Sequence, residues 1–338
     1  MAERLDIEGG IVRLRPAAAE RLPSIDTIIF DIDGVLLDVT RSIRTVNFLV
    51  IPVYLRTLPS WAAPDDLITS ADIERFKEAG GFNDDWDLSS ALVLLFLAKS
   101  VRYGSTDAAS LHSRSPTVAE FTAAIAAAGG WLAAAEAIVF SALIDVASAY
   151  RIRTQYDRSR IVRLFQELWA GDLCPRIYGF EPTHFPGRGW IRLDRPLLDP
   201  VLLPPDIRLG CVTGRSRAEA EVALEMVGIA DRLSTRGPQT VTKDDGPGKP
   251  LPWGMRNLLV RMESRVALYI GDTVDDLRTV LAFRKLPEAA SITLLSAQVL
   301  TGTTPPELAD KLFADTDVLA VDVNAVLGLL AATASNPV

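Results

Sequence analysis

The 338-residue sequence is poor in cysteine and histidine, with only two residues of each. Cys174 and Cys211 are too few for a disulfide framework, and no pair of His and Cys has the spacing of zinc ligands. These shortages argue against a disulfide-stabilised secreted module and against a structural zinc site. They predict a protein of the reducing cytoplasm.

Basic charge and long uninterrupted apolar runs are also scarce. Lys and Arg number 35 against 43 Asp and Glu, which gives a net charge of -8 and leaves no basic footprint for nucleic acid. Charged residues interrupt the first 15 positions, unlike the apolar centre of a signal peptide. The most apolar stretch, residues 121–150, contains Glu136 and Asp145, which are costly within a bilayer. We therefore expect neither a nucleic-acid partner nor a membrane span.

What the sequence does contain is an alternation of strand and helix patterns near both ends. Apolar residues make up 49% of the chain, as in ordinary globular proteins. Short apolar runs that read as buried parallel strands occupy residues 27–30, 207–212, 266–270 and 291–295. Helical patterns follow them, including one that Ser216 can cap and Gly228 can end, and a closing helix over 321–330. This predicts an α/β domain whose ligands bind at the carboxyl ends of parallel strands.

The middle of the chain follows only helical patterns. They cover residues 41–58, 70–79, 88–103, 118–127, 132–150 and 158–169. A Pro- and Gly-rich stretch over 174–205 then leads back to the alternating pattern. We predict a core domain of residues 1–38 and 200–338, interrupted by an inserted all-α domain of residues 39–199.

Polar residues follow the predicted strands at three places, and Lys249-Pro250 stands at a predicted helix start. Asp31-Ile32-Asp33-Gly34 could be an acidic turn if it stood alone. A calcium-binding loop is disfavoured, because Leu36 and Leu37 stand where such a loop needs oxygen ligands. Thr213-Gly214-Arg215 alone would be turn chemistry, and Lys249-Pro250 a solvated lysine before a helix. The acidic residues of 271–276 alone would be a helix start favoured by the helix dipole. Their occurrence together, at successive strand ends, predicts one chemical site.

These four elements, in this order, resemble the haloacid dehalogenase (HAD) superfamily. The resemblance covers residues 25–38 and 200–330, and the helical insert lies where that superfamily carries its first class of cap, the C1 type. Residues 33–42 and 81–86 also resemble a phosphatase-like branch of its subfamily I. The resemblance implies a Rossmann-like core with a parallel sheet and a large inserted all-α cap domain.

The resemblance also implies a phosphotransfer site that uses Mg²⁺ as its cofactor. Asp31 would be the nucleophile, and its carboxylate would hold the ion with Asp272 and the backbone carbonyl of Asp33. Asp33 would act as general acid and then as general base. Asp276 would orient the ligands of the ion, with Asp275 as its rival for that task.

Further residues would bind the substrate. Thr213 would hold phosphoryl oxygens, Lys249 would balance their charge, and Gly214 and Arg215 would lie at the same strand end. Arg41 and Arg44 begin the insert and could meet the far end of the substrate, although exposed helical arginines are usually only solvated. Residues 83–86 could form a loop that reaches the substrate, or an ordinary helix cap.

Asp33 favours hydrolysis of a phosphomonoester, because this second aspartate separates phosphohydrolases from dehalogenases in the resembling superfamily. The large insert favours a small phosphorylated metabolite as substrate, since a covered site admits small molecules most readily. A phosphomutase would use the same residues. A non-catalytic interaction protein that uses the insert as a partner surface is the alternative from another class. The sequence leaves the oligomeric state open.

Overall fold

The computed structural model of the protein describes residues 3–7, 10–82, 84–143, 145–301 and 314–335. The chain forms two compact units, one of residues 1–40 with 194–338 and one of residues 41–193. The sequence placed these divisions at 38/39 and 199/200. Residues 194–199 belong to the first unit, because a short strand at Arg195–Pro196 pairs with Leu37–Asp38 and because Leu198 is buried in the core of that unit.

An eight-stranded sheet forms the centre of the first unit. The described strands are β1 (Glu3–Ile7), β2 (Gly10–Leu14), β3 (Thr27–Phe30), β4 (Leu37–Asp38), β5 (Arg195–Pro196), β6 (Arg208–Val212), β7 (Thr240–Val241), β8 (Val266–Gly271), β9 (Thr293–Val299) and β10 (Val318–Ala320). The sheet order is β1-β2-β10-β9-β8-β3-β6-β7, and β10 through β7 run parallel. This confirms the predicted α/β class with a mostly parallel sheet.

The α-helices make up most of the remaining regular structure that the described residues form. In chain order they are α1 (Pro16–Ala19), α2 (Thr40–Arg56), α3 (Ser70–Ala79), α4 (Asp85–Tyr103), α5 (Ala108–His112), α6 (Val118–Ala127), α7 (Trp131–Ile138), α8 (Val146–Gln155), α9 (Arg158–Ala170), α10 (Cys174–Tyr178), α11 (Arg217–Val227), α12 (Trp253–Arg261), α13 (Val274–Phe283) and α14 (Val323–Ser335). Helices α2 to α10 form the inserted unit.

Strand β3 is buried on both faces, which explains its continuous apolar sequence. Ile28 and Phe30 face one hydrophobic cluster, whereas Ile29 faces another. Helices α11 and α14 contribute to the first cluster, and α12 and α13 contribute to the second. Each fully buried side chain of this size contributes about 1.5–3 kcal/mol through removal of apolar surface from water. The core thus fixes the strand that leads into Asp31.

Local hydrogen bonds set the ends of α11 as the sequence predicts. The Ser216 hydroxyl accepts from the Glu219 amide, and the Glu219 carboxylate accepts from the Ser216 amide. Gly228 ends the helix in the left-handed conformation, with φ of 79°. A capping box and a C-terminal glycine together satisfy backbone groups that the helix leaves open.

Two features of the fold lie outside what the sequence analysis predicted. The single helix predicted over 132–150 is interrupted by a π-helical turn at Val139–Leu143, and Asp145 caps a new helix by accepting from the Ser148 amide at 2.9 Å. The N-terminal residues form the antiparallel hairpin β1–β2, which joins the sheet through β10. Apolar periodicity detects neither feature, because one depends on a local polar cap and the other on a distant strand.

Within the described ranges, no single helix is both long and apolar enough to cross a membrane. One pair, Val118–Ala127 with Trp131–Ser141, passes on length and composition together but is bent by 114°.

Candidate active site

The site lies at the carboxyl edge of the sheet in the first unit. Strand β3 is flanked by β6 and β8, with Phe30 opposite Cys211 and Ile270. Asp31 therefore leaves the sheet beside the residues that follow these two neighbours. Asp31 and Asp272 are both only 5% exposed. The sheet thus brings together carboxylates that are 241 positions apart in the chain.

Gly34 makes room for this arrangement. Its φ is +73°, a conformation that disfavours residues with a side chain. A Cβ atom at this position would lie 2.3 Å from Oδ2 of Asp272. The glycine after Asp33 is therefore needed both for the turn and for the close approach of Asp272.

Lys249 forms the positive centre of the site. Its Nζ lies 2.6 Å from Oδ2 of Asp31 and 2.7 Å from Oδ1 of Asp276. Burial alone would lower the pKa of Lys249, but the negative charges of Asp276 and Asp31 outweigh it and raise the pKa well above its usual value. The lysine therefore stays protonated and bridges the two carboxylates.

Asp276 is held from both sides. Its Oδ1 accepts from Lys249 and from the Tyr269 hydroxyl, the latter at 2.6 Å. Its Oδ2 accepts from the amide of Thr273 at 2.9 Å and from the Thr273 hydroxyl at 2.6 Å. Burial raises the pKa of Asp276, but Lys249 and these hydrogen bonds outweigh it and lower the pKa. Because these bonds occupy both of its oxygens, Asp276 fixes the positions of Lys249, Tyr269 and Thr273.

Asp275, the rival of Asp276 in the sequence analysis, is placed differently. Its Oδ1 lies 3.1 Å from Nη1 of Arg278, one turn along α13. That arginine is 65% exposed, so the pair lies at the surface of the helix. The structure therefore places Asp276 against Lys249 and Asp275 against Arg278.

The site carries more negative than positive charge. One carboxylate oxygen from each of Asp31, Asp272 and Asp276 lies within 4.8 Å of the others. Burial, Asp276 and Asp33 raise the pKa of Asp31 to about 7, and Lys249 offsets only part of this effect. Burial and the same neighbouring carboxylates raise the pKa of Asp272 well above its usual value. A hard divalent cation that prefers oxygen ligands, such as Mg²⁺, fits this cluster.

Arg215 lies against Asp33. Its Nε and Nη2 donate to Oδ1 of Asp33 at 3.0 and 2.6 Å, and Nε also donates to Oδ2 at 3.2 Å. Nη2 lies 3.5 Å from Oδ2 of Asp194. The sequence analysis placed Arg215 among substrate-binding residues, whereas the structure directs these donors to a neighbouring carboxylate.

Thr213 follows β6 as predicted, and its amide donates to the carbonyl of Val241 at 3.0 Å. Its hydroxyl accepts from the Arg215 amide at 3.2 Å, which closes the turn. A Cβ at Gly214 would meet no atom within 4 Å, so the backbone here borders open space. The turn therefore offers backbone groups and a hydroxyl at the carboxyl edge.

The candidate residues of the insert lie in the other compact unit. Arg41 and Arg44 are exposed in the first turns of α2, and their contact with a substrate stays a prediction. Asp84 caps α4 by accepting from the Trp86 amide at 2.8 Å, as in the helix-cap interpretation. Asn83 lies outside the described residues.

Sequence reasoning missed two residues that contact the predicted ones. Tyr269 reads as one more apolar strand residue, yet its hydroxyl bonds Asp276 and lies 3.3 Å from Nζ of Lys249. Asp194 lies beyond the last helix of the insert, with its side chain fully buried against Arg215. A polar atom in a buried strand is a signal for Tyr269, but no local pattern marks Asp194.

Comparison with solved structures finds similar chains, two of them with TM-scores above 0.5. The phosphatase Tt82 from Thermococcus thioreducens is 23% identical, with a TM-score of 0.55 over 85% of this chain and 99% of its own. Target ZR25 of the Northeast Structural Genomics Consortium is 17% identical, with a TM-score of 0.62 over 91% of this chain and 98% of its own. A HAD-superfamily hydrolase of subfamily IA from Geobacter sulfurreducens PCA is 15% identical, with a TM-score of 0.39 over 83% of this chain and 90% of its own.

No protein-family profile and no curated protein sequence matches the chain. The parallel sheet, the predicted motifs at its carboxyl edge and the likeness to Tt82 and ZR25 agree with one another. The chain therefore has the haloacid dehalogenase-like fold.

Proposed function

We propose that this protein is a Mg²⁺-dependent phosphomonoester hydrolase that acts on a small phosphorylated metabolite through a phospho-aspartate on Asp31. The observation that carries the proposal is the buried Asp31 carboxylate at a strand end, 2.6 Å from Lys249 and beside Asp272 and Asp276. This is a nucleophile next to a fixed cation, in a cluster that calls for a further cation. The similar protein Tt82 is a phosphatase, which supports the same chemistry.

Attack on the phosphorus by Asp31 is the first step of the proposed reaction. Two anions repel each other, so Lys249 stabilises the approach by offsetting the charge of Asp31 and of the phosphoryl oxygens. Asp31, Asp272 and the carbonyl of Asp33 would hold Mg²⁺, which when bound supplies further neutralisation of the phosphoryl charge. Thr213 and the amides of its turn would bind phosphoryl oxygens.

Asp33 transfers the protons in the proposed reaction. Its side chain is 42% exposed, in contrast to the buried Asp31, so it can reach a leaving group in the open part of the site. Asp33 gives a proton to the leaving oxygen as its bond to phosphorus breaks. The resulting carboxylate then takes a proton from the water that attacks phospho-Asp31, which restores both residues.

Phosphate release from a panel of phosphorylated metabolites, measured with Mg²⁺ and with EDTA, tests the proposed function. We expect release only with Mg²⁺, and strongest from one chemical class of small substrate. Transfer of the phosphoryl group to a second hydroxyl of a sugar phosphate, without release of phosphate, would identify a mutase. If folded protein releases no phosphate from any substrate of the panel, the result would favour the interaction-protein alternative.

Thermal unfolding tests the proposed metal ligands independently of turnover. Mg²⁺ at about 100 times its Kd should stabilise the wild type by about 2.7 kcal/mol, because the ion binds only the folded state. Asp272→Asn should remove most of this shift. Without Mg²⁺ the same variant should unfold at a higher temperature than the wild type, since it lacks one buried carboxylate. An equal Mg²⁺ shift in both proteins would show that the ion binds elsewhere.

Asp276 and Asp275 provide a matched pair of substitutions on one helix. Asp276→Asn should lower Mg²⁺-dependent phosphate release by about 10–100-fold, because the amide cannot accept on both sides as the carboxylate does. Asp275→Asn should stay within about 3-fold of the wild type, because Asp275 pairs with a surface arginine. Equal losses in the two variants would contradict the placement of Asp276.

A further inference from the structure

The guanidinium of Arg215 lies between two carboxylates, those of Asp33 and Asp194. Arg215 is 6% exposed and the Asp194 side chain is fully buried, whereas the Asp33 side chain is 42% exposed. The arginine therefore contacts one inner carboxylate and one that faces the open part of the site. Such a placement connects the proposed acid–base residue to the interior of the protein.

The inner pair, Arg215 and Asp194, is buried, and Nη2 of Arg215 lies 3.5 Å from Oδ2 of Asp194. Taking a guanidinium and a carboxylate out of water is unfavourable unless each has a well-placed partner, and removal of one partner leaves an uncompensated charge. Burial would lower the pKa of Arg215, but the charges of Asp33 and Asp194 outweigh this and raise it. Arg215 thus stays charged, and Asp194 restricts where its planar group can lie.

The contact of Arg215 with Asp33 uses two nitrogens of a planar guanidinium group, which only arginine has. Two guanidinium nitrogens reach the same oxygen, Oδ1 of Asp33, at 3.0 and 2.6 Å. Among the residues that the structure describes, the other oxygen, Oδ2, accepts only from Nε, at 3.2 Å. Lysine, a point charge on a flexible chain, cannot reproduce this geometry. The two oxygens of Asp33 are therefore unequal, and Oδ1 is the more firmly held.

We propose that Arg215, anchored by Asp194, is a positioning residue that holds Oδ1 of Asp33 so that Oδ2 carries the proton to the leaving group. This inference rests on the proposed function. When the substrate's bond from phosphorus to the leaving oxygen breaks, the new bond from Asp31 to phosphorus forms, and the leaving oxygen takes the proton from Oδ2. Arg215 then stabilises the Asp33 carboxylate that remains, through the contacts already present in the structure.

The competing role for Arg215 is direct binding of the phosphoryl group, as the sequence analysis had it. The two roles differ in what they predict for different substrates. An alkyl phosphate needs its leaving oxygen protonated, whereas p-nitrophenyl phosphate expels a stable anion without help. Loss of acid positioning therefore affects alkyl esters selectively, whereas loss of a phosphate ligand weakens both substrates equally.

The test is the ratio of kcat/KM for p-nitrophenyl phosphate to kcat/KM for an alkyl phosphate, measured on the same preparation of each protein. Any inactive fraction cancels in this ratio. General acid catalysis contributes about 10²–10⁴-fold. We expect Arg215→Gln to raise the ratio at least about 10-fold, Arg215→Lys to raise it nearly as much, and isosteric Asp194→Asn to raise it less. The increase in the ratio for Asp33→Asn, which removes the acid itself, sets the upper limit for the other variants.

Arg217→Gln is the matched control, since Arg217, the first residue of α11, pairs with Asp245 at 2.5 Å and its loss should leave the ratio unchanged. Equal losses for both substrates in Arg215→Gln and Asp194→Asn would overturn the inference. If Arg215→Gln does not fold, the kcat/KM ratios of Arg215→Lys and Asp194→Asn decide whether Arg215 positions Asp33. A wild type inactive on every ester would instead refute the proposed function, so the two failures are distinguishable.

Discussion

Asp31→Asn should lower Mg²⁺-dependent phosphate release by at least about 10⁴-fold, because removal of a covalent nucleophile eliminates the step on which the other groups act. The amide of asparagine has the shape of the carboxylate but cannot form the phosphoryl bond at a useful rate. The residual rate should not depend on the leaving group. Release within about 10-fold of the wild type, from a preparation free of host phosphatases, would contradict the role of Asp31.

The same variant should also be more stable than the wild type in EDTA. Burial and neighbouring carboxylates raise the pKa of Asp31 from 3.8 to about 7 in the folded protein. A carboxyl group with a raised pKa favours folding at low pH, and this contribution is lost as the pH rises from the unfolded value through the folded one. The stability advantage of Asp31→Asn over the wild type should therefore grow between about pH 4 and pH 7.

Urea unfolding of both proteins across this pH range measures the difference. Comparison of the two proteins at each pH removes the contribution of carboxylates outside the site, which titrate alike in both. A stability difference that shrinks as the pH rises would mean that Lys249 stabilises ionised Asp31 more than burial opposes it.

Lys249→Met should have the second largest effect. The substitution keeps the length of the side chain but leaves the buried carboxylates of Asp31 and Asp276 without the ammonium that lies 2.6 and 2.7 Å from them. Breaking a buried pair in this way costs about 3–5 kcal/mol of unfolding free energy. We expect phosphate release to fall about 10²–10³-fold, by comparison with removal of one fixed transition-state donor.

Stability and activity of this variant should respond differently to pH. Lower pH should restore part of the lost stability, because protonation of Asp31 removes charge that Lys249 no longer balances. It should not restore activity, because protonated Asp31 is not a nucleophile. Lys285→Met is a suitable control, since Lys285 is exposed and lies outside the site. A Lys249→Met protein as stable and active as this control would refute the charge balance described above.

The sheet and the meeting of Asp31 with Asp272 were predictable for physical reasons. A strand that is buried on both faces needs a continuous apolar sequence, and β3 has one. Parallel strands end at the same edge, so the polar residues that follow β3, β6 and β8 had to lie near one another. The ends of α11 were predictable because Ser216 and Gly228 act through bonds within a few residues.

What the sequence could not predict depends on contacts between distant residues. The pairing of Asp194 with Arg215 requires the chain to return from the insert at one particular place. The choice between Asp275 and Asp276 depends on which of two adjacent side chains faces Lys249. The break in the helix predicted over 132–150 depends on one polar cap, which a sum of apolar periodicity does not register.

The most direct test of the account is to find the phosphoryl group on the protein during turnover. Samples that are hydrolysing a substrate with Mg²⁺ can be quenched in acid at several times, and the peptide that contains Asp31 examined by tandem mass spectrometry. We predict a phosphoryl group on Asp31 in the wild type, and none in Asp31→Asn under the same conditions. Phosphate that accumulates while this peptide stays unmodified, or a phosphoryl group on another residue, would contradict the proposed mechanism.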